Sequence, residues 1–188
     1  MTEFLQRLNR LLPRARAWVN KLHAEHATQM APVADAGFLR LPLYFPASVL
    51  QETRVVRVKK VPFPPFSKAG GLPELAMLES MPIAAITFTD VIFVHADMAT
   101  ESTHFHELCH VLQVKALGSQ DYLLSYIVGA MHHGYAKNPL EVTAFDLQSQ
   151  FDRGVAVADV VGTVHADALR AREWAAEFFR QHGVPMGG

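Results

Sequence analysis

The chain has 188 residues, of which 50% are hydrophobic, and a formal net charge of −1. This length and apolar content suit one domain with a sizeable core. The near-zero net charge argues against a basic nucleic-acid-binding surface, and no apolar run approaches the ~18 residues that a membrane span requires. A single cysteine, Cys109, excludes an intramolecular disulfide and a cysteine-rich zinc knuckle.

The first segment of the chain predicts a helix over residues 2–30. Its leucines, with Phe4 and Trp18, recur at the three- and four-residue spacing of one buried helix face, and Pro13 is expected to restart or kink the helix. Residues 1–21 scatter arginines through this amphipathic pattern and do not lead into the apolar block of a secretory signal. A cytoplasmic location is therefore expected.

A proline-rich stretch follows at residues 32–73. Within it, residues 38–45 and 55–61 are predicted to be extended, and residues 46–51 to form a short helical turn. Residues 62–71 contain two phenylalanines and a Gly-Gly pair. They predict either an ordered loop near a functional site or a flexible flap.

The remaining chain predicts a β-hairpin at residues 84–95, turning at Thr89-Asp90, and then helices. The helices are expected at residues 100–117, at 121–131, from Asn138-Pro139 onwards and at 167–182. Together these elements predict an α+β fold in which a small antiparallel or mixed sheet packs against the helix 100–117. The chain is interpreted as one domain, residues 1–188. Within it, residues 1–31 are an N-terminal helical segment, residues 37–153 are the core, and residues 154–188 are a C-terminal helical extension.

The motif most informative about function is His106-Glu107-x-x-His110, inside the helix predicted at residues 100–117. On a helix, His106 and His110 lie one turn apart on the same face, where both imidazoles can bind one metal ion. Glu107 can then accept a proton from a metal-bound water. Cys109 points away from both ligands and is expected to be a buried structural thiol.

A catalytic zinc usually has three protein ligands and an open fourth position, so a third ligand must come from another element. Glu141, in the helix that begins at Asn138-Pro139, is the first candidate. The alternative is that Glu141 only caps this helix, because it occupies the N3 position of a capping box. His132 and His133 are further candidates, and Asp146 is a weaker one, suited to orienting a ligand histidine.

These residues resemble those of the gluzincin branch of the zincin metallopeptidases. The matching runs are His106-Glu107-Leu108-Cys109-His110 and Glu141-Val142-Thr143-Ala144-Phe145. A hairpin before a His-Glu-Leu-x-His-Val-x-Gln helix, followed by Asn-Pro-x-Glu, is similar to small bacterial zincin-like domains. The resemblance covers about residues 84–151. It departs from the thermolysin-like members, because Asn-Glu-x-x-Ser-Asp is absent.

The resemblance implies a zincin-like fold and one Zn²⁺ per chain, bound by His106, His110 and Glu141. It also implies hydrolysis of a peptide or protein substrate with Glu107 as general base. Residues 91–95 would be the edge strand that pairs with the substrate. Tyr135, His132 and His133 are candidate donors to the oxyanion by position and chemistry.

Two other functions remain open at this point. One is a zinc-binding domain of the same fold that acts in protein binding or scaffolding, with weak or no hydrolysis. The other is a helical protein in which the motif arose by chance. No pattern in the sequence specifies an oligomeric state.

Overall fold

The computed structural model describes residues 1–68 and 71–187. Ala69 and Gly70, in the predicted loop 62–71, lie outside the described residues. The helices are α1 (Thr2–His26), α2 (Ala47–Glu52), α3 (Ala76–Ser80), α4 (Glu101–His133), α5 (Pro139–Asp152) and α6 (Val160–Gln181). The strands are β1 (Ala31–Pro32), β2 (Arg54–Val58), β3 (Ala85–Phe88) and β4 (Val91–His95). The predicted α+β class is confirmed.

The four strands form one mixed sheet in the order β1-β2-β4-β3. Strands β2 and β4 are parallel, whereas β1 and β3 run antiparallel to their neighbours. The predicted hairpin is present as β3 and β4, with Thr89 between them in the left-handed region at φ 57°. The expectation that residues 91–95 form an edge strand is wrong, because β4 lies between β2 and β3. Strands β1 and β3 are the edge strands, and β3 is the one next to β4.

Helices cover both faces of the sheet. On one face, the first half of α4 packs against alternate side chains of β2 and β4; this core includes Val55, Ile92, Val94, Phe105 and Leu108. On the other face, Leu22 of α1 packs with Val56, Val91 and Phe93. Alternating strand residues point to opposite faces, so the sheet is buried between α4 and the second half of α1.

A second core lies beyond the sheet, where the first half of α1 meets α4 and α6. Its fully buried side chains include Leu5, Leu8, Leu124 and Phe179. Helix α4 reaches both cores because it is interrupted at Gly118 (φ 75°, ψ 156°), a conformation that essentially only glycine adopts. The two helices predicted at residues 100–117 and 121–131 are therefore the two halves of α4.

Two predicted elements differ from the structure. Residues 38–45 do not form a strand but contain a 3₁₀ turn at Leu41–Leu43, because the Glu101 carboxylate accepts hydrogen bonds from the backbone N–H groups of Arg40 and Leu41. Helix α6 begins seven residues earlier than expected, at Val160, where the Asp159 side chain caps its first turn. The short helix predicted at residues 46–51 is present as α2. Among the described residues, no helix is both long enough and apolar enough to cross a membrane.

Candidate metal centre

Three side chains meet in a buried space between α4 and α5. His106 and His110 lie one turn apart on α4, with 7% and 5% of their surface exposed, and Glu141 in the first turn of α5 is 2% exposed. The two histidine Nε2 atoms are 3.1 Å apart. Glu141 Oε2 is 3.3 Å from His106 Nε2, and Glu141 Oε1 is 3.6 Å from His110 Nε2. The structure thus brings together all three residues expected to bind metal.

These distances fit a tetrahedral metal ion. Zinc binds imidazole nitrogen and carboxylate oxygen at about 2.0–2.2 Å, so two tetrahedral ligand atoms should be about 3.3 Å apart. Glu141 Oε2 is buried and has no hydrogen-bond partner, although buried polar atoms are rarely left unpaired. The unpaired Glu141 oxygen and the two neighbouring histidine nitrogens form a set of acceptors suited to a shared cation.

Gln113 orients His110. His110 Nδ1 is 2.8 Å from Gln113 Oε1, and Gln113 Nε2 donates to the backbone carbonyl of Leu140 at 2.8 Å. Because the glutamine NH₂ group is occupied by that carbonyl, its oxygen faces the imidazole and accepts the Nδ1 proton. In the neutral imidazole, Nε2 then has a free lone pair for a metal ion.

Gln148 orients His106 in the same way. His106 Nδ1 is 3.0 Å from Gln148 Oε1, and Gln148 Nε2 donates to the Ser102 hydroxyl at 2.9 Å. Asp146, which the sequence suggested for such a role, is exposed. A seven-residue separation returns to nearly the same helix face after two turns, so Gln148 could have been recognised from its spacing to Glu141.

Glu141 points into the site and not back to the start of its helix. The Asn138 side chain caps α5 by accepting from Leu140 N, and Asn138 N donates to the carbonyl of Tyr135. The capping-box bond considered for Glu141 is therefore not made. Gly129 of α4 allows this close packing, because a Cβ there would lie 2.5 Å from Asn138 Oδ1.

Two tyrosines of α4 complete the surroundings of Glu141. The Tyr126 hydroxyl donates to Glu141 Oε1 at 2.5 Å, and the rings of Tyr122 and Tyr126 each lie edge-on to His110 at 6.3 Å. Burial, reinforced by the negative charge of Glu141, raises the pKa of both phenols well above its usual value. Neither tyrosine is assigned a role in the site from the sequence alone. Their four-residue spacing was the available clue to a shared polar role.

Of the three candidate oxyanion donors, Tyr135 lies in the cavity lining, whereas His132 and His133 lie together outside it. Tyr135 lines the same cavity as His106, His110 and Glu141, and burial together with the charge of Glu141 raises the pKa of its hydroxyl. His132 and His133 are exposed, and their rings are tilted against Trp174 of α6, with ring centroids 5.4 Å and 4.7 Å away. Neither histidine lines the cavity. They end α4 on the side that faces α6, where their rings contact Trp174 and Phe178.

Glu107 is buried beside the ligands and is anchored to the sheet. Its carboxylate Oε2 accepts a hydrogen bond of 2.7 Å from the Thr87 hydroxyl of β3. The Thr87 hydroxyl also lies 3.2 Å from the Glu107 backbone carbonyl. Glu107 therefore faces the edge strand, whereas its neighbour His106 faces α5. Both line one cavity.

The cavity in front of the ligands has a volume of about 610 Å³. It is bounded by α1, β3, α4 and the segments around Phe63 and Leu75. Its lining is mostly apolar, with the carboxylates of Glu107 and Glu141 at one wall. A cavity of this size, with few convergent polar groups, is typical of small-ligand and active sites.

Charge coupling determines the protonation of the metal-free group. Burial alone would lower the pKa of His110, but the adjacent Glu141 carboxylate outweighs burial and raises this pKa to about 9. Burial alone would raise the pKa of Glu141, but His110 and His106 hold it well below its usual range. Without a metal ion, the group consequently holds a proton near His110 at neutral pH.

Comparison with protein-family models gave no match to this chain. Neither curated proteins nor solved structures gave a match. The fold and the site together define an α+β protein with a buried His106–His110–Glu141 group that could hold a metal ion.

The first prediction concerns the pH dependence of zinc binding. Because zinc must displace the proton held near His110, affinity should rise about tenfold per pH unit below pH about 9 and level off above it. Calorimetric titration in buffers of different ionisation enthalpy should show about one proton released per zinc at about pH 7.5. An affinity that does not change between about pH 6.5 and 8.5 would contradict the assignment.

The second prediction concerns Gln148. The Gln148→Leu variant should bind zinc about 10- to 100-fold more weakly, because His106 loses the partner that fixes its ring and tautomer. Gln150→Leu is the matched control: Gln150 lies on the same helix, and its side-chain amide donates to the Asp146 carbonyl of that helix. Zinc affinities should be measured by competition with a chelator. Equal zinc affinities of the two variants would show that Gln148 does not support zinc binding by His106.

Proposed function

We propose that this protein is a zinc-dependent peptidase of the gluzincin-like zincin type. The observation that carries the proposal is the buried convergence of His106, His110 and Glu141, with Glu107 on the wall of the same cavity. Two imidazoles and one carboxylate are the ligand set of several catalytic zinc sites, which keep a fourth position open for water. The ligand spacing described above suits this metal.

Zinc bound by this group would lower the pKa of a bound water and polarise the carbonyl of a scissile amide. Glu107 is the general base: it accepts the water proton and passes it to the leaving nitrogen. Thr87 holds the Glu107 carboxylate in place by its hydrogen bond to Oε2. Tyr135 is the proposed donor to the developing oxyanion, because its raised pKa keeps the hydroxyl protonated.

Strand β3 is the proposed guide for the substrate. His95 N donates to the carbonyl of Ala84, and hydrogen-bonded pairs alternate along an antiparallel ladder. The backbone groups of Ala85 and Thr87 therefore point away from β4, towards the open edge of the sheet. An extended peptide can add to this edge as a further strand, which transfers the role expected for residues 91–95 to β3.

The third prediction tests catalysis directly. Glu107→Gln should retain one zinc per chain and lower kcat/KM for peptide cleavage by about 10²- to 10⁴-fold, because the amide cannot accept the water proton. The assay is mass-spectrometric detection of cleavage in a broad pool of unstructured peptides. Glu173→Gln, at an exposed position of α6, is the matched control and should retain wild-type activity.

Either of two results would overturn the proposed function. One is a zinc-loaded wild-type protein that cleaves no peptide in the pool. The other is cleavage that persists unchanged in Glu107→Gln. The first result would favour a zinc-binding domain that acts in protein binding or scaffolding.

A further inference from the structure

The cavity beside the metal-binding group has a second long wall, formed by α1. Apolar side chains of this helix face the cavity, namely Leu12, Ala15 and Val19. Trp18 contacts Phe88 edge-on at 5.3 Å, which holds α1 against the end of β3. The free edge of β3 therefore faces a partly open cavity that α1 bounds on one side.

Further apolar residues bound the cavity between these walls. They come from the segment after β2 and from the region of α3, and include Phe63, Phe66, Leu75, Leu78 and Met81. Leu75 is 1% exposed and packs with Leu5 and Leu8 of α1 in the second core. The α1 wall is thus part of the hydrophobic core, so a substrate must fit the space that the wall leaves.

The volume of the cavity indicates how much peptide it accepts. An extended strand advances about 3.4 Å per residue, lies about 4.8 Å from its neighbour and occupies a layer about 10 Å thick, or about 160 Å³ per residue. The cavity volume of about 610 Å³ therefore accommodates about four extended residues. Strand β3 itself has 4 residues, all of which line the cavity. The volume of the cavity and the length of β3 both indicate a bound segment of about four residues.

We infer that the substrates are short peptides, or short chain ends, of which about four apolar residues bind as an added strand between β3 and α1. The backbone groups of Ala85 and Thr87 supply the hydrogen bonds, and the lining of α1 accepts the apolar side chains. This inference rests on the proposed function, because it specifies the substrate of the same site. Helix α1 is then the element that limits substrate length.

The test uses capped apolar peptides of about three to twelve residues with the zinc-loaded protein. The value of kcat/KM should rise up to about four or five residues and then fall at least about tenfold for the longest peptides. An unfolded protein should be cut only near its ends. Equal cleavage of long and short peptides, or cleavage throughout an unfolded protein, would overturn the inference but leave peptidase activity standing.

A binding measurement separates the inference from the proposed function. The same peptides, labelled with a fluorophore, are titrated against zinc-loaded Glu107→Gln by fluorescence anisotropy. If binding to this variant falls for long peptides but the wild type hydrolyses none of them, the inference about the cavity is supported and the proposed peptidase activity is refuted. Binding that is absent or independent of length would refute the inference.

Variants of α1 test whether this helix sets the limit. Val19→Trp should fill part of the cavity and lower kcat/KM for tetrapeptides at least about tenfold, whereas Val19→Ala should shift the preferred length upwards. Ala17→Trp, at an exposed position outside the cavity lining, is the control and should not change either value. Identical length profiles for Val19→Ala and the wild type would show that α1 does not limit the substrate.

Discussion

Two histidines and one glutamate are held so close together in a buried space that they could share one cation. The Nε2 atoms of His106 and His110 are 3.1 Å apart, and the Glu141 carboxylate lies within 3.6 Å of both. In a dry interior, unpaired polar groups cost several kcal/mol each. A proton can partly satisfy this group, and a metal ion satisfies all three side chains at once. Much of the structure around α4 and α5 serves to maintain this convergence.

Two glutamines link the helices that carry the ligands. Gln113 of α4 connects His110 to the carbonyl of Leu140, at the beginning of α5. Gln148 of α5 connects His106 to Ser102, at the beginning of α4. Each amide thereby fixes a histidine tautomer and the relative position of the two helices. The partners are neutral, so Glu141 provides the negative charge of the proposed ligand set.

The sequence predicts those parts of the site that depend on local spacing. A four-residue interval places His106 and His110 on one helix face, and the hairpin around Thr89 follows from short apolar runs separated by a turn. The Asn-Pro start of α5 likewise indicated where Glu141 would lie. These features need only the periodicity of a single element.

The parts that were missed depend on tertiary packing. Strand β4 lies inside the sheet because β2 pairs with it in parallel. These two strands are distant in sequence, so local patterns do not predict the pairing. The 3₁₀ turn at Leu41–Leu43 depends on the distant carboxylate of Glu101. The spacing of Gln148 and Tyr126 along their own helices offered a clue, but their contacts with His106 and Glu141 depend on how α5 approaches α4. The position of α1 along one side of the cavity also required the fold, because its leucines alone indicate only a buried helix face.

The most direct test of this account is a crystal structure of zinc-loaded protein with anomalous data collected on both sides of the zinc edge. The account predicts one anomalous peak per chain, about 2.0–2.2 Å from His106 Nε2, His110 Nε2 and a Glu141 oxygen, with a fourth position open to the cavity. The absence of a peak there in zinc-saturated crystals, or a zinc ion bound without Glu141, would contradict it.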